Sequence, residues 1–210
     1  AQKAIRFLLA FAAGVLLAVA FLDLIPEGLA AAPPFWVLAG FIIFYLLEKG
    51  LILYHCHDET CDIHTGSYLM VVGDFVHDFL DGVIIAVAFL ISVPLGLVAT
   101  AATALHEVPT GFGSFAVLLA GSPSRRLVTV FVVASTIAAP LGALLTFSLG
   151  SLIEPWLAPL LLLAAGGFLY IAAVDLIPET HKEYLRLRSV GQIGLFLLGI
   201  ATIYLVGLLL

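Results

Sequence analysis

The ten residues GDFVHDFLDG (Gly73 to Gly82) put Asp74, His77, Asp78 and Asp81 directly before an apolar run, VIIAVAFLIS. At about 100° per residue these four fall within an arc of roughly 100° on a helix, opposite Phe75, Val76, Leu80, Val83, Ile84 and Ile85. Further on, TALHEVPTGFG gathers Thr103, His106, Glu107 and Thr110 on an arc of similar width. Only the short SVPLG segment separates the two helices, so they are antiparallel neighbours. Counting about 1.5 Å per residue from a turn near Val93, Asp81 lies roughly 18 Å down one helix and His106 roughly 20 Å down the other. His77, Asp78, Asp81, His106 and Glu107 therefore meet at one level: two imidazoles and three carboxylates, with no Lys or Arg among them.

A carboxylate inside a bilayer costs roughly 2.5 to 3.5 kcal/mol on an insertion scale, and neighbouring carboxylates also repel. Something cationic must sit among them. Imidazole nitrogens and carboxylate oxygens suit Zn²⁺, and also Fe²⁺, Mn²⁺, Co²⁺ or Cd²⁺, and a divalent ion supplies the missing positive charge. A lone histidine would read as a satisfied core residue, and a lone membrane aspartate as a proton relay or a packing contact. The five together match metal coordination. Pro109 cannot donate to the carbonyl of Leu105, so a kink and a free carbonyl are expected beside His106.

The elements that hold these residues are membrane helices. Of 210 residues, 63% are hydrophobic and 10% charged, and the mean hydropathy is +1.22, far from the balance of a soluble domain. Apolar runs at about 5–25, 35–54, 69–91, 95–120, 127–150, 157–177 and 190–210 are each long enough to cross a bilayer as a helix. They are too long, and lack the strict alternation, for transmembrane strands. The fold class expected is an all-α polytopic membrane helix bundle.

All eight Lys and Arg residues fall in or beside loops on one side of these runs, which marks that side as cytoplasmic. An odd number of spans, a cytoplasmic start and no initiator Met leave room for one more helix upstream. Seven spans of an expected eight, in a single transmembrane domain, is the reading. LDLIPE (Leu22 to Glu27) closes the first run and VDLIPE (Val174 to Glu179) closes the sixth, on opposite faces, as inverted repeats around a central helix pair require. No cleavable signal peptide is visible.

The loop YHCHDETCDIHTG carries His55, Cys56, His57, Asp58, Glu59, Cys61, Asp62 and His64. Two cysteines in one polar loop suggest no disulfide framework, and their spacing does not match a closed zinc finger. A weak, flexible metal-receiving or sensing segment at the cytoplasmic mouth is expected, with a merely polar linker as the alternative. Asp74, one turn nearer that mouth, reads equally as an exit step or as an ordinary interface acid.

At His77-Asp78-Phe-Leu-Asp81-Gly82 and His106-Glu107-Val-Pro109-Thr-Gly111 the chain resembles the Zrt/Irt-like (ZIP) metal-ion transporters. Their fourth helix carries His-Asn-x-x-Asp/Glu-Gly and their fifth His-Glu-x-Pro-x-Glu. FAAGVLLAVAFLDLIPE and GFLYIAAVDLIPE are similar to the family's second and seventh helices. The resemblance implies eight helices with both termini outside, the first lying upstream of this sequence, and a histidine-bearing cytoplasmic loop before the fourth. Asp78 stands where the family has Asn, and Gly111 where it has Glu. One principal metal at His77, Asp81 and His106, assisted by Asp78 and Glu107, is therefore expected, with a two-metal site left open.

The function expected is uptake of a divalent metal, foremost Zn²⁺, by alternating access, with binding that falls at acid pH because protons compete for the same lone pairs. Two other readings stand beside it. An intramembrane zinc protease is suggested by HEVPT, but Thr110 replaces the second zinc histidine of His-Glu-x-x-His; no enzyme is expected. A proton-coupled solute carrier would use the acids as a relay. The partners expected are the metal ion and the lipid bilayer, without nucleic acid or organic cofactor; a homodimer stays open. An unadorned short chain suits a prokaryotic plasma membrane.

Overall fold

The computed structural model of the chain describes residues 2–55, 63–121, 125–181 and 186–209. Every element among them is helical. Seven rods result: α1 (Gln2–Ala18) continued by a π turn (Val19–Leu24) into α2 (Ile25–Leu29), α3 (Phe35–His55), α4 (Ile63–Ile91), α5 (Val93–Gly121), α6 (Arg125–Leu149), α7 (Leu157–Tyr170) continued by a second π turn (Ile171–Leu176) into α8 (Ile177–His181), and α9 (Arg186–Leu209). Among the described residues Arg6–Leu29, Arg125–Leu149, Glu154–Leu176 and Ser189–Leu208 are long and apolar enough to cross a membrane. The protein is an all-α membrane helix bundle.

α4 starts ahead of its apolar run. Its 29 residues make about 44 Å of helix against roughly 30 Å of hydrocarbon, so its first turns extend beyond the apolar layer. α5 follows after Ser92, whose hydroxyl accepts from the Leu95 backbone N–H at 3.3 Å. Pro94 sits in the first turn, where a missing N–H costs nothing. Phe89 packs over Gly96 and closes the α4–α5 hairpin.

Three helix pairs pack through reciprocal glycines. A β-carbon on Gly82 of α4 would strike the carbonyl of Ala139 on α6, and one on Gly142 of α6 would strike that of Phe79 on α4. Gly14 and Gly199 do the same for α1 and α9, against Phe196 and Phe11, as do Gly40 and Gly166 for α3 and α7, against Leu163 and Val37. With no hydrophobic driving force between helices in lipid, such close backbone approach supplies the van der Waals contact that holds pairs together. The contacts also give direction. Phe7 meets Gly191 and Asp23 lies near Gly207, so α1 and α9 are parallel; Leu163 against Gly40 and Phe44 against Gly167 make α3 and α7 parallel as well, and α4 and α6, joined through the intervening α5, run the same way.

The two DLIPE rods are antiparallel, since Gly28 packs on Leu162 while Ala10 faces Thr180 across a cavity. The repeated words thus lie at opposite ends of the bundle, and both adopt the same conformation. In each, the Ile N–H reaches back five residues, Ile25 to the Ala20 carbonyl and Ile177 to that of Ala172. Pro26 and Pro178 do not end their helices. A proline ring would collide with the carbonyl four residues earlier, and the wider π turn just before it gives the room.

Aliphatic and small residues of α1, α4, α5 and α7 form the core, among them Leu16, Val19, Val87, Ala99, Leu161 and Phe168. α3, α6 and α9 flank it and turn large apolar side chains outward, such as Leu38, Leu144 and Leu205, as lipid-facing helices do. The same pairings bring Arg6, Lys49, Arg125, Arg126 and the start of α9 to one end of the bundle, here called the basic end.

Candidate metal site

The site is built by the α4–α5 hairpin. His77 and Asp81 are one turn apart on α4; His106 and Glu107 are adjacent on α5. Nε2 of His106 lies 3.1 Å from Oδ2 of Asp81. Nε2 of His77 lies 4.0 Å from the same oxygen and 3.9 Å from Oε2 of Glu107. One ligand atom from each of the four residues falls within 4.8 Å of every other. Ligands held about 2.0 to 2.1 Å from a zinc ion stand roughly 3.3 Å apart along a tetrahedron's edge. The observed spacings bracket that value, so closing the four on one ion takes side-chain movements of a fraction of an ångström to about 1 Å.

Hydrogen bonding orients His106. Its Nδ1 is 3.0 Å from the carbonyl oxygen of Ala102, an atom that can only accept, so Nδ1–H donates to it. A protonated ring donates from Nε2 to Asp81 Oδ2, whereas a neutral ring presents a lone pair on Nε2 toward that carboxylate oxygen. Two acceptors 3.1 Å apart repel unless a positive charge lies between them. A backbone carbonyl that fixes the tautomer of a ligating histidine is the usual outer partner of a metal-bound imidazole. Phe168 of α7 backs the ring at a centroid distance of 5.6 Å, and the two imidazoles stand 5.6 Å apart in a T-shaped arrangement.

Burial grades across the four. His106 is 0% and Asp81 2% exposed, while His77 is 21% and Glu107 35% exposed. The first two form a sealed floor and the second two a mouth. Beside Glu107 lies a groove of about 300 Å³ between α5 and α6, lined by Gly111, Phe115, Phe131 and Ser135 among others. Among the described residues a β-carbon at Gly111 would meet only Glu107, at an ordinary 3.5 Å.

Asp78 is buried but is not one of the four residues whose ligand atoms converge. It lies beside them, close to His77 and Asp81 of α4, Glu107 of α5 and Ser135 of α6. Asp74, partly buried, lies a turn nearer the basic end. Cys56, His57, Asp58, Glu59, Cys61 and Asp62 lie outside the described residues; His55 closes α3 and His64 falls in the first turn of α4. Two contributors escaped the sequence reading. The Ala102 carbonyl could have been inferred, because it stands one turn before His106. Ser135, which lines the groove beside Glu107, could not, since nothing local pairs α6 with α4.

The chain's relatives carry the same kind of chemistry in their names. The family model for the ZIP zinc transporters matches residues 54–207. Zinc transporter ZIP13 of Pongo abelii is 32% identical over 97% of this chain and 67% of its own length. The zinc transporter ZIP13 homolog of Drosophila melanogaster is 28% identical over 95% and 76%, respectively. Zinc transporter SLC39A7 of Rattus norvegicus is 33% identical over 69% of this chain and 32% of its own length. With a transporter model spanning most of the chain and a hairpin of paired imidazoles and carboxylates inside an apolar bundle, the chain belongs to the ZIP zinc transporter family of integral membrane proteins.

Proposed function

We propose that this protein carries a divalent cation, foremost Zn²⁺, into the cytoplasm through a site formed by His77, Asp81, His106 and Glu107. The observation that carries the reading is the convergence of one ligand atom from each of the four residues within 4.8 Å, with His106 Nε2 held 3.1 Å from Asp81 Oδ2. The ion would be gripped first by His77 and Glu107 at the mouth, then by Asp81 and His106 at the floor. Asp78 contributes negative charge from beside the site rather than a direct ligand. By the distribution of Lys and Arg, the basic end faces the cytoplasm, and the Cys56–Cys61 segment receives the ion there.

All four ligands sit on α4 and α5, and α6 is tied to α4 through Gly82 and Gly142. The ion would therefore move with the α4–α5–α6 group as it shifts against the group made by α1, α3, α7 and α9. That is alternating access by relative motion of two helix groups. In proteoliposomes loaded with a zinc-sensitive dye, the wild-type chain is expected to accumulate Zn²⁺ and the Asp81→Ala and His106→Ala variants to stay at the level of empty vesicles. Uptake by either variant at the wild-type rate refutes the assigned site. Purified protein without bound metal would favour the proton-coupled carrier instead.

A further inference from the structure

We propose that the cavity between α1, α8 and the start of α9 binds the phosphate group of an anionic phospholipid at the basic end of the bundle. The cavity holds about 430 Å³ and is separate from the metal ligands, none of which lines it. Its small floor is Ala10 and Ala13 of α1; its polar edge is Thr180, His181, Ser189 and Gln192; Ile193 and Phe196 extend it along α9.

Gln192 decides what the cavity wants. Its side chain is 6% exposed, and its amide nitrogen is buried without a hydrogen-bond partner. An amide N–H shut away from water in an apolar bundle bears the full desolvation penalty until an acceptor reaches it. Thr180 donates its own hydroxyl to the Ile177 carbonyl at 2.7 Å, so it adds no donor to compete for the same acceptor. The occupant must bring an oxygen that accepts.

The field around the cavity selects an anion. Lys3 and Arg6 fall in the first turns of α1, and Arg186 and Arg188 in the first turn of α9, against Glu179 of α8. The first turn of α9 contains no acid, and its unpaired backbone N–H groups add partial positive charge. A phosphate oxygen meets both requirements, and phosphate esters of lipids are the anions present at this depth of a membrane.

A lipid fits better than free phosphate because the cavity opens sideways. Ile193, which lines it, is 59% exposed on the outer face of the bundle, next to Val190 at 61%. Acyl chains can therefore run down the apolar flank of α9 while the phosphate reaches Gln192. The shared chemistry is a phosphate group, and the two sources are separated by experiment.

The test is native mass spectrometry of the full chain in detergent, with phosphatidylglycerol or phosphatidylcholine added at equal concentration. Wild-type protein should retain one phosphatidylglycerol per chain in preference to phosphatidylcholine. Gln192→Leu, of similar volume but with no donor, should bind it about tenfold more weakly, the loss of one hydrogen bond to a charged acceptor. Gln192→Glu, which turns the donor into an anion, should lose it altogether. Arg125→Gln, at the same end but on α6, should bind as wild type does. Without added lipid, Gln192→Leu should melt at or above the wild-type temperature, because an unsatisfied donor has been removed. Equal retention of the two lipids, wild-type binding by both Gln192 variants, or a Gln192→Leu protein that melts lower without lipid would overturn the proposal. Displacement of the lipid by millimolar inorganic phosphate would overturn its lipid part and assign the cavity to the free anion.

Discussion

Replacing Asp81 with Asn keeps the side chain's shape and removes the charge from the one carboxylate that both histidines face. Because Nδ1–H of His106 is committed to the Ala102 carbonyl, the acceptor Nε2 lies 3.1 Å from the position an Asn amide nitrogen can occupy. With His106 neutral, metal-free wild type sets two acceptors against each other, whereas the variant sets a donor against an acceptor. A neutral buried hydrogen bond contributes about 1 kcal/mol, which for a chain of this length raises the melting temperature by about 2 to 4 °C. With zinc at a hundredfold excess over its dissociation constant, wild-type protein gains about 2.7 kcal/mol, or about 5 to 11 °C. Asp81→Asn forfeits that gain, having lost the charge that makes the oxygen a metal ligand. The assay is thermal unfolding in detergent with a chelator and again with excess zinc. The order of melting should invert: variant above wild type in chelator, wild type above variant in zinc. A variant that melts below wild type in chelator would mean that His106 carries a proton and pairs with Asp81 as an ion, which refutes the tautomer argument.

Two further outcomes follow from the packing around the site. Gly82→Val should loosen α4 from α6, since even its β-carbon collides with the Ala139 carbonyl. Overpacking of this kind costs typically 1 to 3 kcal/mol, read as a melting temperature lowered by about 2 to 12 °C, whereas Gly194→Val, whose β-carbon meets nothing within 4 Å, should melt near wild type. Gly111→Glu should fold, because among the described residues a β-carbon there meets only Glu107, at 3.5 Å. The added carboxylate beside Glu107 should raise the zinc content of purified protein from one ion to two per chain, measured by elemental analysis; unchanged stoichiometry would show that the groove beside Gly111 cannot close on a second ion.

The helical bundle and the chemistry of its site were legible in the chain because both rest on local rules. Apolar length sets each crossing, and an i, i+4 spacing puts His77 and Asp81 on one face of α4 whatever surrounds it. The short SVPLG connection made α4 and α5 antiparallel, and with them the level at which Asp81 and His106 meet. Asp78 shows where local rules stop. Periodicity gives it the same polar arc as its neighbours, yet the ligand atoms that converge belong to His77, Asp81, His106 and Glu107, while Asp78 lies buried beside them.

Gly82 of α4 and Gly142 of α6 let two backbones touch. Glycines in an apolar run announce a close approach without naming the partner. The DLIPE repeat behaves the same way: its two copies are plain in the sequence, but a π turn before each proline, and their place at opposite ends of an antiparallel pair, depend on what packs alongside. Composition and spacing decided which residues could hold a metal. Only the packing of distant helices, a short-range force between surfaces far apart in the chain, decided which of them face one another.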